Sequence, residues 1–157
     1  MTMERTAVLV KPDGMQRGLI GEIINRFERK GLKLVGLKMI HLDDKMLSDW
    51  YAEHKDKHFF GDLKSFMGQM PIVAMAWQGI DSVKVVRSLV GTTLGREAEA
   101  GSIRGDFGMS QQHNLIHASA ILEDGERELK IIFKDDELFE YKSTMEVLTY
   151  ADFERGE

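Results

Sequence analysis

The chain contains no cysteine, which excludes disulfides, thiolate metal sites and thiol nucleophiles. Proline is nearly as scarce, with only Pro12 and Pro71, so few positions interrupt a helix or a sheet ladder. No apolar run approaches the roughly 18 residues that a bilayer span needs. The first residues lack the basic-then-apolar layout of a secretory leader. The cytoplasm is therefore the expected compartment, with no membrane partner. Positive charge is outweighed as well: 21 Lys and Arg face 26 Asp and Glu, for a formal net charge of −5. That balance disfavours a nucleic-acid surface but leaves room for a small anionic ligand where a few cations converge. Neither the G-x-x-x-x-G-K-[ST] loop nor the G-x-G-x-x-G fingerprint occurs, so any phosphate must be held without those devices. The 157 residues are 43% apolar and 30% charged, ordinary for a globular domain with a sizeable core. No repeat, low-complexity segment or linker divides them, and a single domain over residues 1–157 is expected.

Apolar spacing supplies the elements. Residues 5–10 end in the run Ala7-Val8-Leu9-Val10 and read as a short buried strand. Residues 11–18, with Pro12, Gly14 and Gly18, read as a loop. Leu19, Ile20, Ile23, Ile24 and Phe27 recur at helical spacing, and Gly31 stops that helix. Residues 32–42 read as a strand with Val35, Leu37 and Met39 alternating along it. Asp43 or Asp44 can cap a helix whose inner face is Met46, Leu47, Trp50 and Tyr51. Leu63, Phe66 and Met67 mark another short helix, ended by Pro71. The unbroken run over 72–77 reads as a central strand. Asp81 is placed to cap a helix carrying Val83, Val86 and Val90, stopped by Gly91. Residues 92–113 lack periodicity, and loops of that length in compact domains tend to be functional. Within them Ser102-Ile103-Arg104-Gly105-Asp106-Phe107 reads as a tight, specified turn. A strand at His117 follows, then a helix over 123–133 with Leu129, Ile132 and Phe133 inward, then a surface tail with Leu138, Phe139 and Tyr141. The order predicts an α+β fold with helices on one face of a sheet.

The sharpest chemical signal is Asn114-Leu115-Ile116-His117-Ala118-Ser119. If extended, it puts Leu115, His117 and Ser119 on one face and Ile116, Ala118 and Ala120 on the other, toward a core. An unperturbed imidazole, with a pKa of about 6.5, is mostly neutral at physiological pH and can act as a nucleophile. A histidine between apolar neighbours is nevertheless more often a core residue bonded to a neighbour. A carboxylate on one ring nitrogen would fix the tautomer and free the other. Glu128 lies on the last long helix, but spacing alone does not bring it to His117. Lys11 ends the first strand, Arg87 precedes the long loop and Arg104 lies within it. Singly each reads as a solvated charge; together they could converge on phosphates, with Thr93 donating a hydroxyl. Tyr51 and Phe59 bracket a polar segment, and a base could stack on Phe59. Of Phe59 and Phe60, one is expected inside and one partly out. His54 and His58 are four apart, as are His113 and His117, but no H-E-x-x-H accompanies them, and no protein-held metal ion is expected.

Taken jointly and in order, these pieces resemble one family. Glu4-Arg5-Thr6, Lys11-Pro12-Asp13-Gly14, Gln16-Arg17-Gly18-Leu19, Phe59-Phe60, Ile103-Arg104-Gly105-Asp106-Phe107 and Asn114-x-x-His117-x-Ser119 are similar to the segments of nucleoside diphosphate kinases over nearly the whole chain. The resemblance implies a ferredoxin-like antiparallel sheet, a βαββαβ core with an inserted helical hairpin. It implies ping-pong transfer of the terminal phosphate of a nucleoside triphosphate, mainly ATP, to a nucleoside diphosphate through a phosphohistidine. His117 matches the phosphorylated histidine, Glu128 the glutamate that orients it, Ser119 the serine supporting that glutamate, and Tyr51 a tyrosine near the transferred phosphate. Lys11, Arg87, Thr93 and Arg104 match the groups that hold phosphates, with Lys11 also near the ribose. Asn114 matches the ribose contact and Phe59 the stacking aromatic. Magnesium is implied, bound mainly through the nucleotide phosphates. A homo-oligomer is implied too, a hexamer with a tetramer as the alternative. The sequence departs from the family at Ala118 and Ala120, where glycine and aspartate are usual, at His58, where proline is common, and in the proline-free stretch 93–101. A binding module without chemistry is the competing class, and the intact set of His117, Glu128, Lys11 and Arg104 argues against it.

Overall fold

Two strands of this chain are apolar on both faces, and the architecture follows from covering both. The computed structural model describes residues 2–156. Strands β1 (Met3–Val10), β2 (Lys33–Ile40), β3 (Ile72–Ile80) and β4 (Ile116–Ala118) form one sheet in the order β2-β3-β1-β4. Every pairing is antiparallel. The helices are α1 (Pro12–Gln16), α2 (Ile20–Lys30), α3 (Asp44–Trp50), α4 (Phe60–Gly68), α5 (Ser82–Val90), α6 (Ile103–Phe107), α7 (Leu122–Ile132), α8 (Glu146–Thr149) and α9 (Asp152–Arg155). This is the expected ferredoxin-like core, with α3 and α4 as the inserted hairpin.

The central strands are β1 and β3. On one face Ala7, Leu9, Ile72, Ala74 and Ala76 pack under Leu47 and Trp50 of α3, Met67 of α4, and Leu129 and Ile132 of α7. On the other, Val8, Val10, Val73, Met75 and Trp77 pack under Ile23 and Phe27 of α2 and Val86 and Val90 of α5. Helices therefore cover both faces, a correction to the one-face reading. The runs over 7–10 and 72–77 are sealed on both sides and could not leave either face to water.

Local chemistry sets the ends and irregularities. Asp43 is the residue that caps α3, its carboxylate accepting from Met46 N–H at 2.8 Å. Gly31 ends α2 at φ +101°. Asp81 precedes α5 at φ +51°, and its side chain makes no capping bond, so the expected cap is a backbone turn instead. The presumed loop after β1 contains α1, opened by Pro12 at its first position. The specified turn is helix α6, capped by Ser102, which accepts from Gly105 N–H at 3.0 Å. In β2 a register shift between Leu34 and Gly36 breaks the expected alternation. Val35 is buried, while Leu37 and Met39 turn to the opposite, open face of this edge strand and are 51% and 66% exposed. The tail runs along the same edge: Phe139 N–H donates to Val35 O at 2.8 Å and the Tyr141 hydroxyl to Leu34 O at 2.7 Å.

Candidate active site

The site begins at β4, which pairs with the end of β1 so that His117 lies opposite Leu9. His117 thus faces the α3–α7 side of the sheet. On α7, Glu128, Leu129 and Ile132 share the inward face at three- and four-residue spacing, which brings the Glu128 carboxylate to the imidazole. His117 Nε2 lies 2.9 Å from Glu128 Oε2. The Ser119 hydroxyl lies 3.0 Å from that same oxygen and accepts from Ala7 N–H at 3.1 Å. Glu128 and Ser119 are buried, so the carboxylate's bonds are unscreened by water. In the neutral ring the Nε2 proton goes to Glu128 and the lone pair is left on Nδ1. The indole of Trp50 meets the imidazole edge-on, centroids 5.0 Å apart at 73°. Adjacent Tyr51 is buried, and that burial, together with the Glu128 charge, holds its hydroxyl protonated well above the usual phenol range.

The expected extension of residues 114–119 holds only from Ile116. Leu115 adopts φ +76°, so its side chain joins Ile116 and Ala118 in the α2–α5 core rather than sharing the face of His117. Ala120 lies beyond the strand and is exposed, not in the core. The corner at Leu115 is tied to the turn after β1. Leu115 N–H donates to Asp13 Oδ2 at 2.9 Å, and Leu115 O accepts from Lys11 N–H at 2.8 Å.

Two cations stand beside this corner, and neither is a solvated charge. Lys11 is 8% exposed and Arg104 6%. Lys11 Nζ donates to Asn114 Oδ1 at 2.8 Å. The Asn114 amide nitrogen donates to Thr93 O and Gln111 O, both at 2.8 Å. Arg104 donates to Asn114 O, Gly91 O and Ile116 O at 3.2, 3.0 and 2.7 Å, pinning the loop against β4. Burial pushes the Lys11 amine down to about 8, assisted by the Arg104 charge and opposed by Asp13. Burial likewise lowers Arg104 to about 10, with the Arg87 charge contributing and Asp13 opposing. Arg87 is exposed on α5 and is linked to the cluster by that repulsion. Thr93 is exposed and enters through its carbonyl. Phe60 packs on the core and Phe59 is 38% exposed, the expected division. Phe59 reaches Tyr51 through His54, ring centroids 5.7 and 6.2 Å apart along the chain of three.

The structure therefore joins His117, Glu128 and Ser119 in one hydrogen-bonded chain, and Lys11, Asn114 and Arg104 in another, meeting around residues 114–116. Arg87 is coupled to Arg104 by charge alone, Thr93 bonds Asn114 through its carbonyl, and Phe59 is joined to Tyr51 through His54. In the sequence Trp50 is legible only as part of a helix face, and Asp13 only as part of the Lys11-Pro12-Asp13-Gly14 motif. A signal existed for Asp13, which follows a proline at a helix start; the contact of Trp50 with His117 is purely tertiary.

Residues 4–138 match the family model described as nucleoside diphosphate kinase. The chain is 51% identical over 152 residues to a nucleoside diphosphate kinase of Parabacteroides distasonis, covering 97% of this chain and 99% of that protein. It superposes with a TM-score of 0.91 on a halophilic nucleoside diphosphate kinase from Halobacterium salinarum in complex with CDP, at 47% identity, over 95% of this chain and 99% of that one. A transition state mimic of the Borrelia burgdorferi nucleoside-diphosphate kinase, with bound vanadate and ADP, gives a TM-score of 0.86 at 37% identity, over 93% and 96% of the two chains. In sequence and in fold alike, this chain belongs to the nucleoside diphosphate kinase family.

Proposed function

We propose that the chain transfers the terminal phosphoryl group of a nucleoside triphosphate, mainly ATP, to a nucleoside diphosphate through a phosphohistidine on Nδ1 of His117. The observation that carries this is the Glu128–His117 bond of 2.9 Å, which occupies Nε2 and leaves the other nitrogen as the nucleophile. In the first half-reaction the Nδ1 lone pair attacks the terminal phosphorus. The bond from phosphorus to the bridging oxygen breaks, and the diphosphate leaves with that electron pair. In the second half-reaction a terminal oxygen of another nucleoside diphosphate attacks the same phosphorus, and the P–N bond returns its electrons to the ring. Glu128, held by Ser119, stabilises the imidazolium character that develops in both steps.

The phosphoryl group in flight spreads negative charge over its oxygens, so positioning and cations supply most of the catalysis. Lys11, Arg87 and Arg104, with the Thr93 hydroxyl, are the groups for that charge, and the Tyr51 phenol is a neutral donor near it. Asn114 and Lys11 serve the ribose, and Phe59 stacks the base. Stacking carries little base identity, consistent with relatives described with CDP and with ADP. Magnesium fits this wall as a phosphate-bound ion. The protein groups at hand are two buried cations, the Asn114 amide, backbone carbonyls and the single carboxylate of Asp13; among the described residues no group of three or more His, Asp or Glu is placed to hold a metal. When bound, the ion neutralises phosphate charge. The same reading assigns the cell interior as the working compartment and a homo-oligomer, hexamer or tetramer, as the assembly. The exposed Leu37 and Met39 on an open strand edge support association. Among the described residues no helix is long and apolar enough to cross a membrane.

The test is to incubate the protein with magnesium and ATP labelled in the terminal phosphate. Acid-labile, base-stable label that is lost in His117→Ala and discharged by a second nucleoside diphosphate is the expected result. Nucleotide binding without label would favour the binding module, and label persisting in His117→Ala would assign another nucleophile.

A further inference from the structure

We propose that Asp13 is the positioning residue that holds both the nucleophile's strand and the phosphate-binding Lys11 in their working state. The inference rests on the roles assigned to His117 and Lys11 above. Its first ground is geometric. Leu115, between Asn114 and His117, adopts φ +76°, a left-handed conformation that branched side chains avoid. Such a conformation persists only where its surroundings over-determine it. Here they do. The Leu115 N–H donates to Asp13 Oδ2 at 2.9 Å, and the Leu115 carbonyl accepts from Lys11 N–H at 2.8 Å. Gly14 comes so close that a Cβ on it would stand 2.6 Å from Leu115 O. Of these contacts only the Asp13 bond is made by a side chain, and it reaches across 102 residues of sequence.

The second ground is electrostatic. Asp13 Oδ1 is buried and takes no hydrogen bond from any described residue. That part of the carboxylate charge is thus unspent on donors and acts on the buried cations beside it. From α6 Arg104 opposes the charge on Lys11; from α1 Asp13 supports it; from the preceding loop the neutral Asn114 amide and the Gln112 carbonyl face it. Arg87 of α5 acts on Arg104, which Asp13 also supports. Among the described residues Asp13 is the acidic neighbour that acts on both cations.

Two substitutions separate the two roles. Asp13→Asn keeps an oxygen that can accept from Leu115 N–H and removes the charge; Asp13→Ala removes both. The full-length variants are compared with the parent in steady-state turnover from about pH 6 to pH 10. Asp13→Asn is expected to hold kcat near neutral pH within about threefold, while the alkaline fall of kcat/KM moves to lower pH. Asp13→Ala should show the same alkaline displacement and a further loss in kcat of roughly 10- to 100-fold, with KM near neutral pH changed much less. An alkaline limb of Asp13→Asn that coincides with the parent's, or equal kcat in the two variants, would overturn the inference. If Asp13→Ala does not fold, Asp13→Asn decides through its alkaline limb. The Lys11 amine is also followed by NMR in the parent and in Asp13→Asn, where it should titrate at lower pH whether or not the protein turns over. A parent that takes no label on His117 defeats the proposed reaction; an unmoved Lys11 titration defeats the assignment of Asp13.

Discussion

Three atoms set the reactivity of His117: Nε2, Glu128 Oε2 and Ser119 Oγ. Because Ser119 is sealed from solvent, Ser119→Ala leaves Ala7 N–H and Glu128 each short of a partner. The expected results are a loss of stability of about 1–3 kcal/mol by urea denaturation and a roughly 10- to 100-fold slower phosphorylation of His117 in single turnover. Lys11 gives a prediction of the opposite sign for stability. Its amine titrates at about 8 in the folded chain against an ordinary value of 10.5. Between those values the unfolded chain holds a proton that the folded chain has released, so stability rises with pH across that window. Below about pH 8 both states are protonated and the full penalty of the buried charge applies. Lys11→Met should therefore stabilise the protein near neutral pH, on the order of 2 kcal/mol after loss of the Asn114 hydrogen bond, while nucleotide affinity falls. Denaturation and equilibrium binding on the same variant check both halves. In the parent, kcat/KM should decline above about pH 8 as Lys11 loses its charge.

The short elements carry the binding groups, and they were the least legible. Helices α2, α5 and α7 run 9 to 11 residues, long enough for apolar spacing to reveal them. Helices α1 and α6 have five residues each, too few turns for any period to show. The Leu115 corner left no trace, because leucine does not signal a left-handed backbone, whereas Gly31 does. The bulge at Val35 is hidden for a related reason: one inserted residue reverses every side chain after it without altering composition. His117, Lys11 and Arg104 were legible as candidates because charged and titratable residues beside apolar strands are conspicuous. Their union with Glu128 needed the family resemblance and then the fold. Helix α6 shows how tightly such a piece is held. Arg26 of α2 pairs with Asp106 at 2.6 Å, and Asp106 accepts from Gly101 N–H at 2.8 Å. A Cβ on Gly105 would stand 1.9 Å from Glu99 O. Gly105→Ala must therefore push α6, with Arg104, off its seat. A loss of about 2–3 kcal/mol in thermal or urea melts and a raised KM for nucleotide are the expected outcomes.

The molecule divides its work between the two ends of its sheet. The segment beyond the family match, from Phe139 onward, lies against edge strand β2 and the end of β3: the Tyr150 hydroxyl accepts from Ile80 N–H at 3.2 Å, and Lys33 pairs with Glu146 at 3.3 Å. None of its hydrogen bonds or ion pairs among the described residues reaches His117, Lys11 or Arg104. Removing residues 142–157 should lower Tm by roughly 3–8 °C and leave the rate of His117 labelling unchanged, as calorimetry and single-turnover assays would report. The opposite end of the sheet behaves like a charged spring. Two cations are held there in a medium that resists them, and one, Lys11, has shed part of its protons by about pH 8. An arriving polyphosphate restores the balance of charge and draws the amine's titration back upward. Nucleotide binding in mildly alkaline solution must then capture protons from the solvent. Isothermal titration at one alkaline pH, in buffers of different ionisation enthalpy, would show a heat of binding that varies with the buffer. The slope gives the number of protons captured, and near pH 6 it should shrink toward the contribution of the phosphates themselves.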